Sequence, residues 1–344
     1  MRISQPTNCE VTTKILNRLS GRFEVSVALF QVFSILPGQA DPDDPKIFWA
    51  LAKKHGLIQG LDEGFPKSRG EFVCFGLAFP PAELKSGPFS VSVRVEEHQR
   101  KLAVFGERDF GIFGGIREVS ACSGPVAISP ENAFGGKDYA ENPAGIGWQA
   151  KVGDKVPQVE DPDDLLDGPA RAAFPAGFWP LSAASTLRKK HFGAFDDKWL
   201  QREWPSFPQD THLDFFQTAP EKQRLNSHFK GNEVCEITNM NEQVPLLRFN
   251  LPKKQARCVF RQSEDQGIFH GWRESPMVAE TLYLFPNEGI AAMLHRSVIH
   301  TYRADALDIQ DVLLALEEPG EKQPAEGMIL QLFKSQLLDI ISAE

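Results

Sequence analysis

FGAFDDKWLQREWPSFPQDTHLDFFQTAPEKQRLNSHFKG, Phe192 to Gly231, packs aromatics, prolines and acids more densely than any other part of the 344-residue chain. Trp199 and Trp204 are followed by a Pro-x-x-Pro step at Pro205 and Pro208, then by Asp210 and the Phe215–Phe216 pair. Proline fixes φ and removes an N–H donor, which keeps most of this stretch out of the interior of a sheet. Thr218 with Glu221 three residues on, and Pro220 between them, has the pattern of a capping box and predicts a helix start. An irregular segment so rich in apolar side chains must bury them, against a domain or against a partner.

Strand signals lie on both sides of it. Residues 22–35, RFEVSVALFQVFSI, alternate at first and then run apolar, as a long strand entering a core would. Asp44, Pro45 and Gly56 bracket a short helix with Phe48, Leu51 and Ala52 on one face. Glu71 to Phe79 reads as a strand, and Val91, Val93 and Val95 followed by Lys101 to Phe105 read as a hairpin. Downstream, strands are expected at Glu233–Ile237, Pro245–Leu251, Cys258–Arg261, Ala279–Phe285, Ile290–Val298 and Asp311–Leu316, and an amphipathic helix from Met328 to Ile341. The predicted architecture is mainly β: two β-sandwich-like lobes, 1–130 and 232–344, joined by an irregular middle, 131–231, that packs on both.

Composition narrows the function classes. With 25 prolines and 27 glycines spread through a chain that is 42% hydrophobic, many turns are expected rather than disorder. A formal charge of −9 argues against a general binder of nucleic acid or anionic membrane, which needs clustered Lys and Arg. No apolar segment follows the N-terminal MRISQPTNCEV, and the longest apolar run, Val25 to Leu36, is too short to span a bilayer. Cys9, Cys74, Cys122, Cys235 and Cys258 are odd in number and far apart, as expected of reduced, buried thiols in the cytoplasm.

No reaction is legible. His295 and His300 fall on opposite faces of a predicted strand, and His191, His212, His228 and His270 lack ligand spacing, so no metal is expected. Gly135-Gly136-Lys137 resembles the end of a phosphate loop, but Asp138 stands where a Ser or Thr must hold magnesium. Asp196, Asp197, Asp210 and Asp214 leave open a glycoside hydrolase that uses paired acids beside tryptophans; acids beside prolines also cap turns.

Four segments, in order, resemble one family, the domain of unknown function 2169. They are FPKSRGEFVCFGLAFPP (Phe65 to Pro81), RKLAVFGERDF (Arg100 to Phe110), ENAFGGKDYAENPAGIGW (Glu131 to Trp148) and the stretch from Phe192 to Arg224. The resemblance implies a cytoplasmic, non-enzymatic adaptor or chaperone that accompanies a type VI secretion system. Its partners would be a secreted effector or toxin and the spike, either the valine–glycine repeat protein or a PAAR-repeat tip. It implies no cofactor and no catalytic residue, and leaves a structural subunit of a tail-like assembly as a further alternative. Within its motifs, Gly135, Gly136, Gly145 and Gly147 permit positive φ or close approach of backbone, and Asn142-Pro143 fixes a turn. Phe134, Tyr139, Trp148, Trp199, Trp204 and Phe215 are the candidate partner-binding residues, because aromatics of this kind anchor interfaces.

Overall fold

In the computed structural model the long strand expected at 22–35 is Phe23–Ser34, buried on both faces over nearly its whole length. The structure describes residues 1–17, 23–57, 64–169, 171–204, 206–263, 269–318 and 320; Pro205 and the helix expected at Met328 to Ile341 lie outside them. The strand is the second of a five-stranded central sheet, in the order Cys9–Asn17, Phe23–Ser34, Ile290–Thr301, Met277–Phe285, Glu71–Cys74. Its neighbours run antiparallel, Phe23 opposite Thr301 and Ser34 opposite Ile290, while Glu71–Cys74 lies parallel to Met277–Phe285.

Successive side chains of a strand point to opposite faces, and here the two faces meet different layers. Ala28, Phe30 and Val32 share a core with Phe48, Leu51 and Ala52 of the helix Ile47–Lys54. On the other face, Val25, Val27 and Leu29 pack with Cys258, Phe260 and Val312 of a four-stranded sheet, ordered Arg2–Ser4, Ile309–Glu317, Gln255–Ser263, Phe269–Ser275. Further along that face, Phe33 joins Val91, Val93, Leu102 and Ile237 of a second five-stranded sheet, ordered Val159–Glu160, His98–Val104, Phe89–Val95, Val234–Thr238, Leu246–Asn250. Between these two contacts stands Gln31, which with Met293 and His295 faces a cleft of about 370 Å³. Burial pushes the His295 imidazole down to about 4, so it is neutral, with Nε2 3.3 Å from Gln31 Oε1.

The chain is therefore β-rich, as expected, but its sheets are not divided between its two ends. The central sheet combines strands from the first hundred residues with strands from beyond residue 232, two of the latter lying between Phe23–Ser34 and Glu71–Cys74, and Val234–Thr238 pairs with Phe89–Val95. Expected lobes of 1–130 and 232–344 thus do not correspond to separate sheets. The reason is physical: a period-two pattern says that a strand has a buried face, and nothing about which strand pairs with it. The expected hairpin is present, Phe89 opposite Val104 and Val95 opposite His98. All five cysteines are free and buried.

A buried polar network ties the irregular middle to the central sheet. Glu71 accepts from Lys67 Nζ, from Thr218 N (3.2 Å) and Oγ1 (2.6 Å), from Ala219 N (3.0 Å) and from Gln217 Nε2 (2.8 Å). Lys67 also donates to Thr281 Oγ1 (2.7 Å) and, through its backbone, to Glu280 Oε2 (3.1 Å). Arg296 donates to Glu280, to Ser26 Oγ (2.6 Å) and to Gly64 O (3.1 Å). Thr218 and Glu221 accordingly form no capping box. The Thr218 hydroxyl goes to Glu71, and Glu221 pairs with Arg69, its turn Glu221–Gln223 being preceded by Pro220 without a side-chain cap. A buried carboxylate outcompetes a local cap because leaving it unsatisfied costs more.

The two carboxylates are driven apart. Burial raises Glu280 to about 8, against the pull of Lys67. Glu71 is also opposed by burial, but Lys67, Thr218 and Ala219 hold it below its ordinary value. A carboxyl that keeps its proton in the fold and loses it on unfolding stabilises less as pH rises. The Glu280 contribution is expected to be full below about pH 4.5 and to fall as pH climbs towards 8. Urea unfolding of the wild type and of Glu280→Gln across this range checks it: the variant should lose that part of the slope, and an unchanged slope refutes it.

Candidate functional site

The aromatic stretch begins as a loop closed at its neck. His212 N donates to His191 O (2.9 Å), Thr211 Oγ1 to Phe192 O (2.7 Å), and Ala194 N to both oxygens of Asp210 (3.1 and 3.2 Å). Out of this neck rises the short helix Asp197–Arg202, which the Asp196 side chain caps by accepting from Trp199 N at 2.8 Å. Asp196 and Asp210 are thus occupied with their own backbone, and Asp214 accepts from Ser68 Oγ (2.8 Å). Three of the four acids that the sequence left open as a catalytic pair, Asp196, Asp210 and Asp214, thus cap or pin the loop.

Rings carry the loop's packing from core to surface. Phe216 stacks on Phe65 at 4.3 Å and Phe215 on Phe192 at 4.2 Å. Phe192 meets Phe195 at 4.6 Å, and Phe195 meets the edge of Trp199, also at 4.6 Å. Phe215 and Phe216 are buried with Leu16 and Phe65, so Phe215 is a core residue and not a contact surface. Trp199 is half-buried, and its indole N–H donates to Ser206 O at 2.8 Å, which braces the turn after the helix. Trp204 is 64% exposed, Leu200 60% and Phe195 45%. Pro208 is buried, while the stretch presents these three large apolar side chains to solvent.

The glycine-rich motif from Phe134 to Trp148 lies elsewhere and is a packed knot. Asn142 is buried and donates to Pro130 O (2.7 Å) and Phe134 O (3.1 Å), while its carbonyl accepts from Gly136 N (3.0 Å). Tyr139 stacks on Trp148 at 4.9 Å, both flank the buried Phe134, and the Tyr139 hydroxyl donates to Ala173 O at 3.1 Å. These three aromatics share a small core with Phe110, Val156 and Leu166 and do not line a groove with the tryptophans of the loop. Pro143 stands exposed in the turn between. Gly135, Gly136 and Gly145 keep ordinary backbone angles and serve close approach, whereas Gly147 has φ +98°. A Cβ on Gly145 would sit 2.6 Å from Ala133 O and 2.8 Å from the Gly135 Cα, both backbone atoms that cannot give way. Gly145→Ala is expected to destabilise by about 1–3 kcal/mol, as overpacking does. Equilibrium unfolding measures it, and a shift below about 0.5 kcal/mol would show that the knot relaxes freely.

The model of one bacterial family, described as "Uncharacterized protein conserved in bacteria (DUF2169)", matches residues 21–296. The chain belongs to that family. No curated protein and no solved structure matches it. The matched DUF2169 region takes in four of the five central strands, the last of them up to Arg296, with the glycine-rich knot and the whole aromatic loop, so Phe195, Leu200 and Trp204 lie within it.

Two features of this DUF2169 chain escaped the reading of its sequence. Phe195 and Leu200 are exposed like Trp204, and their signal was the helical turn capped by Asp196, where Phe195 meets Trp199 four residues on. Ile112 and Phe113 stand fully in solvent at a hairpin tip between Arg108–Phe110 and Ile116–Glu118. Their signal was Gly111-Ile112-Phe113-Gly114-Gly115, two large apolar residues where turn composition asks for polar ones. Among the described residues, no helix is long and apolar enough to cross a membrane.

Proposed function

We propose that this chain is a non-enzymatic adaptor that binds an effector of a type VI secretion system in the cytoplasm and helps to load it on the spike, through the valine–glycine repeat or PAAR protein. The observation that supports it best is that one loop exposes three large apolar side chains, Phe195, Leu200 and Trp204, while its neck is pinned by hydrogen bonds and Phe195 packs against Phe192 and Trp199. Large apolar side chains on a rigid support make contacts at low entropic cost, and tryptophan is the commonest anchor of a protein interface. An adaptor of this kind stabilises, by mass action, the form of the effector that it binds. Competing contacts at the spike then release it, which requires moderate rather than extreme affinity. That Asp196 and Asp210 are consumed in backbone hydrogen bonds favours the adaptor over a hydrolase.

Affinity capture of the tagged protein from its native host, with mass spectrometry of what accompanies it, tests the proposal. The expected result is a toxin together with a spike or PAAR-repeat protein. A partnerless protein in cells that express the secretion system overturns it.

A further inference from the structure

Among the described residues, His191, His212 and Asp214 each offer a ligand atom, and these atoms all lie within 4.8 Å of one another. We propose that they form a binding site for one divalent transition-metal ion of the zinc–cobalt class, at the neck of the aromatic loop. Two imidazoles and one carboxylate are a donor set suited to such ions, and three protein ligands leave at least one position for water or another donor.

The site is built from the backbone outward. His212 N donates to His191 O, which fixes the two residues against each other across the neck, and their rings lie 5.7 Å apart. Asp214 N donates to His212 Nδ1 at 3.2 Å, so that nitrogen is unprotonated, and an ion bound there would take its lone pair in place of this hydrogen bond. The same Nδ1 is 3.6 Å from Asp214 Oδ2, a separation that two ligands of one ion need shorten only slightly. Ser68 Oγ donates to the other oxygen, Oδ1, at 2.8 Å, and so orients the carboxylate as outer-shell partners of metal ligands do. An ion bound here would add ligand bonds to the hydrogen bonds that close the neck, and so hold the loop in the shape that displays Trp204.

The test uses the full chain, without a histidine tag and stripped of metal by chelator, titrated with Co²⁺ and followed by its visible ligand-field absorption. One equivalent of Co²⁺ should bind, Zn²⁺ should displace it, and Zn²⁺ should raise Tm by mass action. Ser68→Ala should weaken Co²⁺ about 10- to 100-fold, the usual cost of losing an outer-shell partner. His191→Gln and the double variant His191→Gln/His212→Gln should abolish the absorption at the same Co²⁺ concentrations. Far-UV circular dichroism of each metal-free variant shows whether it is folded; His191→Gln, which leaves the His212–Asp214 turn intact, stands in if the double variant is not. A wild type that takes up no Co²⁺, or a folded His191→Gln protein that retains full uptake, overturns the proposal.

Discussion

Glu71→Ala is expected to destabilise the fold by about 3–5 kcal/mol, the cost of removing one member of a buried ion pair. Native domains are stable by only about 5–15 kcal/mol, so this variant should be barely folded at ambient temperature. The size comes from what Glu71 leaves behind. Lys67 would remain buried without its carboxylate, and the backbone N–H groups of Thr218 and Ala219 would lose their acceptor. Each unsatisfied buried donor adds its own desolvation penalty. A double-mutant cycle separates the two parts. Lys67→Met with Glu71→Leu removes both charges and should recover the ion-pair share, because a buried pair is often replaceable by apolar groups. It should not recover the share that belongs to Thr218 and Ala219. Urea unfolding of the four proteins is the measurement, and a double variant as stable as the wild type would show that Glu71 serves Lys67 alone.

Glu71 also marks where reading the sequence succeeded and where it could not. The strand Phe23–Ser34 was legible because burial on both faces leaves a long run in which even Ser26 and Gln31 fail to break the apolar pattern. The hairpin from Phe89 to Val104 was legible because its alternation and its turn are local. Pairing of Phe23–Ser34 with Ile290–Thr301 was not, since some 250 residues lie between them and the pattern of each strand fits many partners. Thr218 and Glu221 carried the local signature of a helix start, yet a carboxylate nearly 150 residues away claimed the threonine. His191 and His212 showed no ligand spacing because what brings them together is the closure of a loop, not the pitch of a helix or strand.

Among the six aromatics selected as partner anchors, side-chain type was the signal, and type alone does not separate core from surface. Phe134 and Phe215 are buried, Tyr139 and Trp148 stack on each other, and Trp199 is half-buried with its indole N–H satisfied. Trp204 is the member of that set that projects into solvent. The two tryptophans of the loop therefore have separable roles, which a sequence with both in one turn of chain could not assign.

That separation sets the second large effect. Trp204→Ala should weaken capture of the effector or spike protein by about 30-fold or more, the 2 kcal/mol threshold of an interface hot spot. It should leave Tm within about 2 °C, because an exposed side chain contributes little to the fold. Trp199→Ala should show the reverse balance. Its loss removes the edge contact with Phe195 and the hydrogen bond to Ser206 O, so the loop loosens and stability falls by about 1–2 kcal/mol, with any loss of binding following from that. Leu200→Ser, at a position exposed like Trp204, should weaken capture without altering the fold. Binding of the captured partner to each purified variant, read beside its thermal unfolding, gives both quantities. If Trp204→Ala and Leu200→Ser both bind as the wild type does, the patch is not the contact surface, and the exposed Ile112–Phe113 hairpin tip becomes the next place to look.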